Sequence, residues 1–177
     1  MITGKLEVFL LQQKICIEKV SVGVIDLAMT ERGWREAQPS FPKQKGVYIH
    51  VSSTGIPLRV GIGLGKEGVY GRWFHSRSCH FYAFRQKKDQ RSNYRQFFQL
   101  IQFRYLQTYV LYILMDPDDA LRIEKALRTE WLPLWEIQEP SRKYVFRDQK
   151  YSCANPCSLE MIEYCRDEQV AKIWQRI

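Results

Sequence analysis

Residues 46–63, GVYIHVSSTGIPLRVGIG, contain two apolar runs that are separated by a short polar segment. The run VYIHV at 47–51 is apolar and β-branched, which is typical of a strand, and the run IPLRVGI at 56–62 repeats the pattern. The polar segment SSTG at 52–55 separates the two runs and contains a glycine. Two short strands on either side of such a turn predict a β-hairpin.

A loop, a helix and a strand are predicted downstream of this hairpin. A glycine-rich loop with Gly63, Gly65 and Gly68 comes first. Apolar residues at helical spacing in the aromatic and basic stretch 93–107 then predict a helix. The run VLYILM at 110–115 is unbroken and apolar, which predicts a buried strand at the centre of the sheet.

The clearest local signal marks a helix that begins after this strand. Asp116 is a good N-cap, Pro117 suits the first helical position, and acidic residues follow in the first turn. The predicted helix ends before Pro133, and its Glu124 lies close to the apolar face. That face is predicted to comprise Leu121, Ile123, Leu127 and Trp131. A second amphipathic helix is predicted over residues 158–177.

Length and composition limit the classes of protein to which this chain can belong. The chain has 177 residues, of which 45% are apolar and 26% charged, as expected for one globular unit. No apolar run is long enough to span a membrane, and residues 1–14 lack the cleavage site of a secretory signal, so a cytoplasmic protein is expected. Five cysteines are an odd number, which favours reduced thiols, and they offer only one tight ligand pair for zinc.

Positive charge is concentrated in the middle of the chain. The formal net charge is +8, and residues 59–104 carry ten basic side chains against two acidic ones. Aromatic residues are interleaved with this charge, which suits a nucleic acid because cations bind phosphates and flat rings stack on bases. An ordinary solvated basic helix with core aromatics remains open as the alternative.

The glycine-rich segment matches two nucleotide-binding motifs only in part. The sequence GLGKEG at 63–68 has the three glycines of a dinucleotide site, but no acidic residue follows about 20 positions on to bind a ribose. It is not a Walker loop either, because Lys66 is followed by Glu67 and the first glycine of that motif would fall on Val60.

The order of five elements resembles the GIY-YIG nuclease family. These elements are Gly46-Val47-Tyr48, Arg59-Val60-Gly61 after ten intervening residues, Arg72-Trp73-x-His75, Glu124, and the helix end Leu132-Pro133-Leu134. The resemblance spans roughly residues 41–137. It implies an α+β fold with a small three-stranded antiparallel sheet flanked by helices, preceded by an N-terminal extension over 1–40 and followed by a C-terminal extension over 138–177.

The resemblance also implies a function, which is metal-dependent hydrolysis of DNA phosphodiester bonds by a restriction, repair or mobile-element endonuclease. Glu124 would hold Mg²⁺ or Mn²⁺, and Arg72 would bind the phosphate. Tyr48 would act as general base or orient the water, with His75 as an alternative base. The residues expected to contact phosphate or DNA are Arg59, Lys66, Arg77, Arg85, Lys87, Lys88, Arg91 and Arg95.

Two signature positions depart from the family pattern. Arg59 replaces the second tyrosine, and Glu136 replaces an asparagine. Two other functions therefore stay open: a catalytically inactive DNA-binding module on the same fold, and a protein-interaction factor that uses the basic face. A homodimer also stays open, because reading two half-sites would require two copies.

Overall fold

The computed structural model describes residues 2–27, 31–52, 57–75, 108–131 and 133. Its helices are α1 (Ile2–Gln12), α2 (Glu31–Ala37), the single turn α3 (Gly68–Tyr70), which continues as a π-helical turn (Gly71–His75), and α4 (Pro117–Trp131). Its strands are β1 (Ser21–Leu27), β2 (Gly46–Ser52), β3 (Pro57–Gly63) and β4 (Thr108–Leu114). The predicted helices over 93–107 and 158–177 lie outside the described residues.

The strands form one antiparallel sheet in the order β1-β4-β2-β3. The α+β class, the β2–β3 hairpin and the interior position of β4 are thereby confirmed. The prediction of three strands was wrong, because residues placed in the N-terminal extension supply β1. Val24 of β1 pairs in register with Leu111 of β4. Val24 is half exposed, whereas the neighbouring Ile25 is buried, so this edge strand has apolar side chains on both faces.

One face of the sheet carries the main hydrophobic core. Alternate residues of β2 point to this face, and α1 and α4 cover it with their apolar sides. The core residues from these three elements are Val47, Ile49 and Val51; Leu6, Phe9 and Leu10; and Ala120, Ile123 and Leu127. Each large aliphatic side chain buried here contributes about 1.5–3 kcal/mol.

The opposite face is covered by a tryptophan. Tyr48 and His50 alternate with the core residues of β2 and therefore point away from α1 and α4. The ring centroid of Trp73 lies 5.5 Å from that of Tyr48 and 5.6 Å from that of His50. Phe41 closes the cluster with a centroid 5.2 Å from that of Trp73. Because all four rings are buried, this packing fixes the π-helical turn on the sheet.

Helix α4 begins where the sequence predicts. The carbonyl of Asp116 accepts a hydrogen bond from the Ala120 amide at 2.8 Å, as expected of an N-cap residue. Leu121, however, was wrongly assigned to the buried face and is 49% exposed. At about 100° per residue, Leu121 lies almost opposite Ile123 around the helix, so the small Ala120 fills the core position instead. Among the described residues, no helix is long and apolar enough to cross a membrane.

Candidate nucleic-acid interface

The turn that follows β3 is held against the segment that precedes β2. The Val69 amide donates to the Gln44 carbonyl at 3.0 Å, and the Tyr70 amide donates to the Pro42 carbonyl at 2.9 Å. Gly68 has a φ of +53°, and a Cβ there would meet the Gln44 carbonyl oxygen. Only glycine suits this position, since both the backbone conformation and the close approach exclude a side chain.

An open pocket of about 660 Å³ lies between the end of β3 and the π-helical turn. Arg72 and Lys66 supply two positive charges to its wall, and Glu67 supplies one negative charge. Ile62 and Leu64 form the apolar part of the wall, and glycines complete it. Arg72 and Lys66, both predicted phosphate ligands, are therefore brought to one site.

The carboxylate of Glu67 is partly neutralised. The Lys43 Nζ lies 3.5 Å from Glu67 Oε2 and 5.0 Å from the centroid of the Tyr70 ring. The Lys43 side chain is 67% exposed, so the ion pair contributes little stability. With Lys43 beside Glu67, the pocket and its edge carry three positive charges and one negative charge, which favours an anion in the pocket.

Tyr48 lies outside the set of residues that line this pocket. Its side chain is fully buried, with its ring edge-on to Trp73. On β3, Gly61 is the register partner of Tyr48, and a Cβ on Gly61 would lie 2.4 Å from the Tyr48 hydroxyl oxygen. The phenol therefore lies flat over a glycine that is required to make room for it. Tyr48 packs against Trp73 and does not face the open pocket.

Sequence reasoning did not single out His50, which lies on the same face as Tyr48. His50 pairs in register with Arg59, and its Nε2 lies 2.9 Å from Oγ1 of Thr108. Burial lowers the pKa of His50 to about 3, and the positive charge of Arg59 acts in the same direction. His50 is thus neutral at ordinary pH. The signal available in the sequence was its i+2 spacing from Tyr48 within the strand.

Glu124 is placed on a different part of the molecule. It forms an ion pair with Arg128 at 3.1 Å, and the side chains are only 13% and 21% exposed, respectively. Helix α4 covers the face of the sheet opposite Tyr48, so these two residues do not share a face. A cation at Glu124 would compete with Arg128 for the carboxylate. Within the described ranges, no group of three or more His, Cys, Asp or Glu side chains could hold a metal ion, and Glu124 as the single Mg²⁺ ligand stays a prediction.

The remaining predicted residues are only partly located. Arg59 is half-buried on β3, Lys66 is exposed in the turn, and His75 is the last residue of the π-helical turn. Six predicted DNA contacts lie outside the described residues: Arg77, Arg85, Lys87, Lys88, Arg91 and Arg95.

Comparison with known proteins adds no assignment. No family model matches the chain, and searches of curated proteins and of solved structures give no significant match.

Proposed function

We propose that this protein binds DNA and that the pocket at the end of β3 holds a backbone phosphate. The observation that carries the proposal is the presence of Arg72 and Lys66 on one open pocket. Arg72 suits the phosphate oxygens because its planar fork of donors forms paired, charge-assisted hydrogen bonds. Lys66 adds a point charge from the exposed turn.

Two further features support a nucleic acid over another anion. The residues that line the pocket lie near the start of the stretch 59–104. In this stretch basic residues outnumber acidic ones ten to two, and aromatic residues are frequent. The antiparallel sheet with its hairpin and following helix α4 is compatible with the fold implied by the resemblance to GIY-YIG nucleases. The first feature fits a ligand that combines repeated phosphates with stackable bases.

The test is a salt titration of binding to a fluorescent DNA duplex, followed by anisotropy. Arg72→Ala should weaken binding about tenfold and reduce the slope of log affinity against log salt by about 0.9, as expected for one lost phosphate contact. The matched control is Arg32→Ala, which removes the same charge from the exposed surface of α2. Equal losses in both variants, or binding to polyglutamate without binding to DNA, would contradict the proposal.

A second candidate function is cleavage of the bound DNA, with Mg²⁺ or Mn²⁺ as cofactor. The chain order of Tyr48, Arg72 and Glu124 favours it, together with the location of Arg72 on an open pocket. Burial of Tyr48 and the Glu124–Arg128 ion pair favour the inactive module instead. Plasmid nicking with either ion that is lost in Glu124→Ala, with DNA binding retained, would establish the endonuclease. Binding without nicking would leave the DNA-binding module.

A further inference from the structure

We infer that the pocket beside Arg72 accepts one whole unpaired nucleotide, with its phosphate, sugar and base, and not a lone phosphate of a paired strand. The inference rests on the proposed DNA binding and names the form of DNA that this site prefers. It is carried by the size of the pocket and by the chemistry of its wall.

The pocket is too large for a phosphate alone. A volume of about 660 Å³ falls within the ~300–1,000 Å³ typical of small-molecule sites. A phosphate group displaces only a few water volumes of about 30 Å³ each, so it would leave most of this space filled with solvent. A sugar and a base attached to that phosphate would occupy the remainder.

The wall offers a separate surface to each part of a nucleotide. Arg72 and Lys66 suit the phosphate. Ile62 and Leu64, both half-buried, present an apolar surface to the flat face of a base, as apolar side chains do in sites that take extruded bases. Both side chains also pack against the main hydrophobic core, so it is their remaining exposed surface that a base would contact.

Glu67 is the feature that a lone phosphate does not explain. Its carboxylate lines the same pocket as the two cations and, although Lys43 Nζ lies 3.5 Å away, it offers an acceptor that a backbone phosphate, which has no donor, cannot use. A carboxylate accepts hydrogen bonds, and an unpaired DNA nucleotide supplies donors in the amino and imino groups of its base. Glu67 therefore favours a ligand that carries a donor near its phosphate, and it lowers the affinity for ligands that carry none.

Such a pocket discriminates between paired and unpaired DNA. A base inside a duplex is stacked and cannot enter, and extruding it costs a few kcal/mol. The cost is least where the base is already unpaired. We therefore expect the site to prefer bulged or single-stranded positions over a continuous duplex.

The experiment compares two duplexes of equal length, one fully paired and one with a single-nucleotide bulge of 2-aminopurine. The bulged duplex should bind at least about tenfold tighter, the equivalent of 1.4 kcal/mol. The fluorescence of 2-aminopurine should increase as the base leaves the stack. Deoxynucleoside monophosphate should compete at a concentration about tenfold lower than inorganic phosphate does.

Glu67→Met is the most informative variant, because it should raise the affinity for the paired duplex and lower the preference for the bulged one. Removing the negative charge should tighten binding of the paired duplex about two- to fivefold, while loss of the acceptor should reduce the preference for the bulge. Glu36→Met is the control, since it changes the net charge equally on the exposed surface of α2. A thermal unfolding curve for each variant checks that the fold is retained.

The outcomes separate this inference from the proposed function. Equal affinity for both duplexes, with Arg72→Ala still weakening each, would overturn the nucleotide pocket and leave DNA binding in place. If Arg72→Ala changes the affinity for neither duplex, the proposed function itself is overturned. An unchanged bulge preference in Glu67→Met would reject the role of this carboxylate.

Discussion

His50 and Arg59 are register partners across the β2–β3 hairpin, and the imidazole is fully buried on the same face as Tyr48. A buried imidazole opposite a guanidinium is stable only in its neutral form, because both desolvation and the neighbouring charge oppose protonation. The hydrogen bond between His50 and Thr108 joins β2 to β4 at this position. The site beneath Trp73 is therefore sensitive to acid.

The first prediction concerns stability at acidic pH. The folded pKa of His50 is about 3, below the unfolded value of 6.5, so the unfolded state binds a proton that the folded state excludes. This contribution is fully present above pH 6.5 and is lost as pH falls toward 3, by up to about 1.4 kcal/mol for each pH unit. Urea unfolding at pH 7, 6 and 5 measures it. The His50→Met variant should show a shallower slope, and an identical slope would contradict the assignment.

Local signals explain which parts of the fold the sequence predicts. The hairpin and α4 follow from features within a few residues of each element, namely β-branched runs about a glycine turn and the Asp116-Pro117 start. Strand β1 was missed because its partner β4 is distant in sequence and because the adjacent apolar residues Val24 and Ile25 interrupt its alternation of polar and apolar residues. Such a strand is specified by its partner.

The candidate site was harder to predict than the fold for a related reason. Arg72 and Lys66 follow from charge and motif order, and the pocket brings them together. Glu67 was absent from the predicted phosphate site because its role depends on Lys43, which docks only when the turn folds onto the segment before β2. The burial of Tyr48 depends in the same way on the distant Trp73. Residue identity predicts chemistry, whereas these tertiary contacts decide access.

The second prediction tests the packing of Tyr48. Gly61→Ala should destabilise the protein by about 1–3 kcal/mol, because the new methyl group would lie 2.4 Å from a hydroxyl that is held under Trp73. Gly65→Ala is the matched control, since a Cβ there meets no atom within 4 Å. Chemical unfolding of both variants gives the comparison. Equal stabilities would show that Tyr48 is mobile enough to yield.

The third prediction concerns the ion pair on α4. Arg128→Met should destabilise the fold by about 1–3 kcal/mol, because it leaves the largely buried carboxylate of Glu124 without this cation. Arg32→Met breaks an ion pair with the same i,i+4 spacing at an exposed position on α2 and should cost less than about 1 kcal/mol. Thermal unfolding measures both.

The same variant tests whether Glu124 can bind a divalent ion. With Arg128 removed, millimolar Mg²⁺ or Mn²⁺ should restore part of the lost stability in Arg128→Met, since a ligand that binds only the folded state stabilises it. The stability of the wild type should increase less on addition of the ion, because Arg128 competes for the carboxylate. No shift in Arg128→Met would contradict the assignment of Glu124 as a metal ligand.

The fourth prediction separates charge in the pocket from charge elsewhere. Lys66→Gln should lower the salt slope of duplex binding by about 0.9 with no loss of stability, because Lys66 is exposed and lines the pocket. Lys19→Gln removes an equal charge from the exposed turn before β1, away from the pocket, and should leave the slope within error. Anisotropy titrations at several salt concentrations give both slopes. If the two variants lower the slope equally, the protein attracts DNA through its net charge, and the pocket is not where the phosphate binds.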